Sequence, residues 1–154
     1  MTAARRADWR EGREDERVTS DWQRAADTGD VAALARLAAA GADLDRRDAH
    51  GQTALMRAAL AGHAEAVRWL AAQGADLNHS AKFHLTALML AVVNGKHDAA
   101  RVLIEAGADL TARGSGAPGF AGKTAADLAR ARGDRDVAAW LEHAMARQGG
   151  GRPE

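Results

Sequence analysis

The sequence contains no cysteine, which rules out a disulfide framework, a thiol nucleophile and Cys-ligated zinc, so stability has to come from packing. Tyrosine is absent too, and four Trp and two Phe make up the whole aromatic content of 4%. The core must therefore be built of Ala, Leu and Val, small side chains that suit closely approaching helices. Neither sign of charge is in excess, since 21 Lys and Arg balance 21 Asp and Glu. No overall field pulls the chain toward nucleic acid, an anionic membrane or an acidic substrate. No apolar run approaches the roughly 20 residues needed to span a bilayer. The first residues include Thr2, Arg5, Arg6 and Asp8 where a signal peptide would have a hydrophobic core, so the expected address is the cytoplasm, with no membrane partner. What is present, 47% hydrophobic and 27% charged residues over 154 positions, fits one ordinary globular domain.

The main signal is internal repetition. Gly41-Ala42-Asp43-Leu44 returns as Gly74-Ala75-Asp76-Leu77 and as Gly107-Ala108-Asp109-Leu110, each 33 residues after the last. Ser20, Thr53 and Thr86 precede these glycines by 21, and Gly29, Gly62 and Gly95 follow the hydroxyl residues by nine. Leu37, Leu70 and Leu103 keep the same register, and Thr124, Gly133 and Leu141 supply a fourth copy. That copy starts 38 residues after the third, which places about five extra residues in the loop near 114–119.

Each unit reads as two short helices, the first capped by Ser or Thr and ended by a left-handed glycine. Ser20 and Gln23 form a capping box by spacing. The second helix of unit two is expected over 64–72, with Val67 and Leu70 on its buried side, stopping at Gly74. Helices this short are marginal alone, so each pair must bury its apolar face on a neighbour, as in a solenoid. The units run over 20–46, 47–79, 80–112 and 113–147. Residues 1–19 alternate basic and acidic side chains, a balance that gives either a solvated helix or disorder, and a frayed helix is the preferred reading. Residues 148–154 are expected to be a flexible tail.

These residues resemble the ankyrin repeat, whose pattern is a threonine-proline-leucine-histidine start, a central glycine-histidine and a closing glycine-alanine-aspartate before a β-turn finger. The resemblance spans roughly 20–147 and implies an all-α solenoid of helix-turn-helix units with β-turn fingers. The starts here read Thr53-Ala54-Leu55-Met56 and Thr86-Ala87-Leu88-Met89, without proline or histidine, and only Gly62-His63 keeps the central pair. Alanine is still a good helix former, and Met fills space where the histidine would bond. Gly51 and Gly122 precede their threonines, whereas His84 stands at that place in unit three, so a reshaped finger is expected in unit three. In unit one, Trp22, Ala25, Ala26, Leu34 and Leu37 face unit two, while Arg24, Asp27, Asp30 and Arg36 stay wet.

The resemblance also implies function: such proteins bind partner proteins through the finger tips and the first helix of each unit, which line a concave face. Carried over by register, the candidates are Ala49, His50, Gln52, Arg57, Leu60 and Ala61 in unit two, and Lys82, Phe83, Leu85, Leu90, Val93 and Asn94 in unit three. Unit four adds Phe120, Ala121, Lys123, Ala131 and Arg132. Phe83, Leu85 and Val93 sit at offsets the repeat core does not need, which makes unit three the expected hot spot. The alternative is that Phe83 and Leu85 fold inward because His84 displaces the finger. Phe120 either anchors a partner or tucks the inserted loop onto the last repeat.

Trp69 and Trp140 share one offset on the second helices and read as core, and Trp9 is free to dock on unit one. His50, His79 and His84 lie on the finger side but lack the i,i+4 pairing or Cys partners of a zinc motif, so no metal is expected. Gly119 to Thr124 spaces its glycines too closely for a phosphate loop. The expected function is a cytoplasmic, monomeric protein-interaction module, an adaptor or inhibitor without cofactor, nucleic acid or catalysis. A self-associating structural protein is the alternative, with a small metal-dependent enzyme further behind.

Overall fold

A computed structural model describes residues 17–150. Eight α-helices are found among them: α1 over 17–28, α2 Val31–Ala39, α3 Ala54–Ala61, α4 Ala64–Ala72, α5 Ala87–Val93, α6 His97–Glu105, α7 Ala125–Arg132 and α8 Arg135–Gly150. They alternate between two layers. The first helices of successive units stack as α3 on α5 on α7, the second helices as α4 on α6 on α8, and each unit's own pair packs together. No strand joins them among the described residues; the fingers contain only isolated bridges, Ser80 with Thr86 and Gly114 with Ala121.

The repeated residues act as their chemistry requires. Thr53, Thr86 and Thr124 are buried N-caps whose hydroxyls accept from the amides of Met56, Met89 and Asp127. Helix α3 ends at Gly62 with φ 84°, and α7 at Gly133 with φ 79°. The expected span of α4 holds, with Val67 and Leu70 fully buried. Met56 and Met89 are buried, filling the core as expected. The core is otherwise Ala, Leu and Val, and Trp22 is its one fully buried aromatic among the described residues.

The units are tied by hydrogen bonds in the same register. The Asp76 amide donates to Asp45 Oδ1 (2.8 Å), and the Asp109 amide to Asn78 Oδ1 (2.7 Å). At the opposite edge, a basic or imidazole side chain reaches back over the end of the preceding first helix. His63 Nε2 donates to the Asp27 carbonyl (2.8 Å), and Arg132 Nη1 donates to the Val93 carbonyl (2.6 Å). Between them, the Lys96 side chain lies along Gly62, beyond the end of α3. Donors and cations at helix C-termini satisfy leftover carbonyls and suit the helix dipole. A side chain at Gly29 would collide with His63, its Cβ falling 2.7 Å from the ring, so glycine there serves both the φ of 71° and the contact.

Three expectations need correction. Ser20 caps no helix start: α1 is already helical from residue 17, since Arg17 and Val18 continue the turn without a break. The tail boundary at 148 also shifts, because α8 runs to Gly150; residues 151–154, and 1–16 with Trp9, lie outside the described residues. Trp69 and Trp140 are half-buried against the core and not inside it, since the outer surface of the second-helix layer has no further layer to cover it. Trp140 instead meets Arg101, whose guanidinium lies 4.3 Å from the ring centre.

Leu103 is fully buried between the two helical layers. Leu103→Ala is expected to cost about 2–5 kcal/mol, read as a lowered urea midpoint.

Candidate functional site

The finger side is built by three connections, residues 41–53, 74–86 and 107–124. In the first finger, Asp48 organises the turn: its Oδ1 accepts from the amides of His50 (2.8 Å) and Gln52 (2.9 Å). Its other oxygen accepts from Arg57 Nη1 (2.6 Å), and Arg57 forks onto Asp27 with Nε at 2.8 Å and Nη2 at 2.6 Å. One guanidinium thus joins finger one, α3 and α1. Burial raises the Asp48 pKa, but the Gln52 and His50 amides and Arg57 outweigh it and hold the carboxyl below its ordinary range. The same pairing, led by the hydrogen bonds to Asp27, raises Arg57.

The second finger, that of unit three, follows the expected reshaping. Phe83 (φ 62°) and His84 (φ 55°) are both left-handed in a short 3-10 turn, Lys82–His84, so His84 adopts the region that Gly51 and Gly122 occupy at its place. Holding a ring-bearing residue there costs on the order of 1–2 kcal/mol, and the inserted loop offsets it. The Ser115 amide donates to the Phe83 carbonyl (2.8 Å), the Ser115 hydroxyl pairs with His84 Nδ1, and Phe120 stacks on Phe83 with centroids 6.0 Å apart. The loop closes on itself through Gly114 to Lys123 (2.9 Å) and Gly122 to Gly114 (2.9 Å).

Placed on this frame, the sequence candidates separate. Leu60 is the only exposed large hydrophobic among the described residues, at 39%, and half-buried Val93 shares its register on α5. Asn94 is exposed, its amide donating to the Leu90 carbonyl (2.7 Å), and His50, Ala49, Ala61, Ala121, Ala131 and Arg132 are exposed. Gln52 and Lys123 are half-buried, and Lys82 is exposed with its ammonium 4.9 Å from the Phe83 ring centre. Leu85 and Leu90, however, are only 7% exposed and belong to the core, which corrects their expected place on the binding surface. Leu85 is carried inward by the left-handed turn before it, and Leu90 faces the neighbouring helices as Leu128 does in unit four. Phe83 and Phe120 are half-buried against each other, so the inward alternative describes them better than a free hot spot. The apolar finger of unit three, offered to a second copy, loses its basis on the same contacts. Arg57 has its fork committed to two carboxylates. The Asp27 and Asp48 roles escaped the sequence reading: Asp48 lies 9 residues before Arg57 in its own unit, whereas Asp27 lies 30 residues before it on α1 of the preceding unit, where only the stacking brings it near.

The finger-side histidines do not gather. His79 Nε2 donates to the Gly51 carbonyl (2.9 Å) and His84 pairs with Ser115. Among the described residues no group of three potential metal ligands assembles, and no helix is long and apolar enough to cross a membrane.

A family model described as ankyrin repeats in three copies matches residues 22–114, more than half of the chain. A search of curated proteins found no match.

Two outcomes are expected here. A double-mutant cycle on Phe83→Ala and Phe120→Ala should give a coupling of about 0.5–1.5 kcal/mol in stability; additive losses would mean that the stack holds nothing. Because the folded Asp48 pKa is depressed, its stabilisation is present above the unfolded value of 3.8 and is lost as pH falls through the lower folded pKa. The stability gap between wild type and Asp48→Asn, followed by acid titration with circular dichroism, should therefore narrow below pH 3.8.

Proposed function

We propose that this chain, which belongs to the ankyrin-repeat family, binds a partner protein through its fingers and first helices, as an adaptor or an inhibitor that occupies the partner's surface. Members of the family are generally protein-interaction modules. The observation that carries the reading here is the row formed by Leu60 and Val93, flanked by Ala61 and Asn94 on the first-helix layer. An exposed leucine beside small and amide side chains gives an apolar anchor with hydrogen-bonding neighbours, the composition of an interface centre. The proposal includes a monomer acting in the cytoplasm, without cofactor, nucleic acid or catalysis. The hydrogen bonds within the fingers support it, since pre-ordered loops reduce the entropy lost on binding.

Incorporating a photo-crosslinker at Asn94, with an otherwise equivalent label at exposed Ala72 on the second-helix layer, tests the face used. A partner is expected to crosslink from Asn94 and not from Ala72, and Leu60→Asp should weaken its binding by roughly tenfold or more while leaving the melting temperature unchanged. Crosslinks confined to Ala72, or full binding by Leu60→Asp, would overturn the assignment.

A further inference from the structure

The chain carries no net charge, yet its charge is not evenly spread. From Leu77 to His97 and from Leu110 to Ala126, the second and third fingers and the first helix of unit three contain Lys82, Lys96, Arg113 and Lys123 and not one Asp or Glu. The acids of these units sit elsewhere: Asp98, Glu105, Asp134, Asp136 and Glu142 belong to the second helices or the turn before them, Asp109 lies at a finger base, and Asp127 is held by Thr124 and Arg130. Lys82, Lys96 and Lys123 form no ion pair among the described residues. The Phe83–Phe120 stack links the backbone around two of the cations. Lys82 lies over Phe83, Phe83 stacks on Phe120, and the Lys123 amide donates to the Phe120 carbonyl (3.0 Å), while Arg113 Nη1 donates to the neighbouring Gly122 carbonyl (2.6 Å). The aromatic stack is thus bordered by Lys82 and Lys123, which pair with no carboxylate among the described residues, and by Arg113, whose charge also acts on Asp127, on the side of the molecule that also exposes Leu60 and Val93.

Resting on the interaction reading above, we infer that the partner presents an acidic segment: its carboxylates meet Lys82 and Lys123 on the fingers, and an apolar side chain lies on Leu60 and Val93. Neutrality of the whole chain does not oppose this, because fields beyond the Debye length of about 8 Å are screened and only the local charge steers a docking segment. A single-stranded nucleic acid fits less well. Base stacking needs exposed rings in the basic groove, and Phe83 and Phe120 spend a face on each other.

The test measures fluorescence anisotropy of the full chain with a labelled peptide of Glu, Asp and Leu about twelve residues long, its Gln, Asn and Leu counterpart, and an RNA oligonucleotide of about twelve nucleotides. The acidic peptide is expected to bind at least tenfold more tightly than the neutral one and to weaken with added salt. Lys82→Glu/Lys123→Glu should lose roughly tenfold more affinity, with an unchanged melting temperature, whereas Arg68→Glu on the second-helix layer should lose little. Equal binding of the two peptides, equal loss in Arg68→Glu, or preference for the RNA would overturn the inference. The failures are distinguishable: a partner crosslinked from Asn94 that binds Lys82→Glu/Lys123→Glu undiminished leaves the interaction reading standing and removes the acidic segment, while crosslinks only from Ala72 remove both.

Discussion

Contact between neighbouring units is the constraint on which everything else in this molecule depends. Helices α2 to α7 are seven to nine residues long, below the roughly 12 at which an isolated helix is even marginal in water. Each therefore needs an adjacent pair to bury its apolar stripe, and needs it also to finish its backbone hydrogen bonding. His63 and Arg132 reach back to carbonyls at the ends of α1 and α5, and Asp45 and Asn78 accept amides from the unit that follows. Stability is accordingly a property of junctions, close to the sum of unit and interface terms expected of a one-dimensional array.

The same junctions fix the finger side. Arg57 could have been a free cation on the first-helix layer; held by Asp27 of the preceding unit and Asp48 of its own finger, it becomes the pin that sets finger one against α1 and α3. In unit three's finger the pin is apolar, a phenylalanine pair assembled from two units, with the Ser115 amide on the Phe83 carbonyl and the Ser115 hydroxyl on His84 beneath it. Both devices order loops that would otherwise lose entropy on meeting a partner, and both do so by spending residues that a linear reading assigns to the partner.

That exchange explains what was legible in the chain and what was not. The 33-residue spacing, the threonine caps and the left-handed glycines are local chemistry repeated, so the fold class and the span of α4 could be read before any coordinates. The insertion and the odd His84 could be located as departures from the period. Their consequence could not, because the burial of Leu85 and the meeting of Phe83 with Phe120 depend on where a loop from the next unit lands. Leu90 was different: Leu128 at the same offset already suggested a core position, and treating each unit's offset as interchangeable with Arg57 obscured it. Ser20 failed for a third reason, since a capping box by spacing does not stop a helix that has favourable residues before it.

Unit four departs from the units before it in the length of its second helix and in its inserted loop. Helix α8 spans 16 residues, long enough to gain propagation over most of its length, and Arg130 bridges Asp127 on α7 and Glu142 on α8. These exposed pairs add little individually. The inserted loop also joins unit four to unit three's finger, through the half-buried Phe83–Phe120 contact and the bond from the Ser115 amide to the Phe83 carbonyl. The insertion thus ties unit four to unit three while fixing the backbone beside Lys82 and Lys123, so packing and the placement of the basic side chains arise from the same few residues.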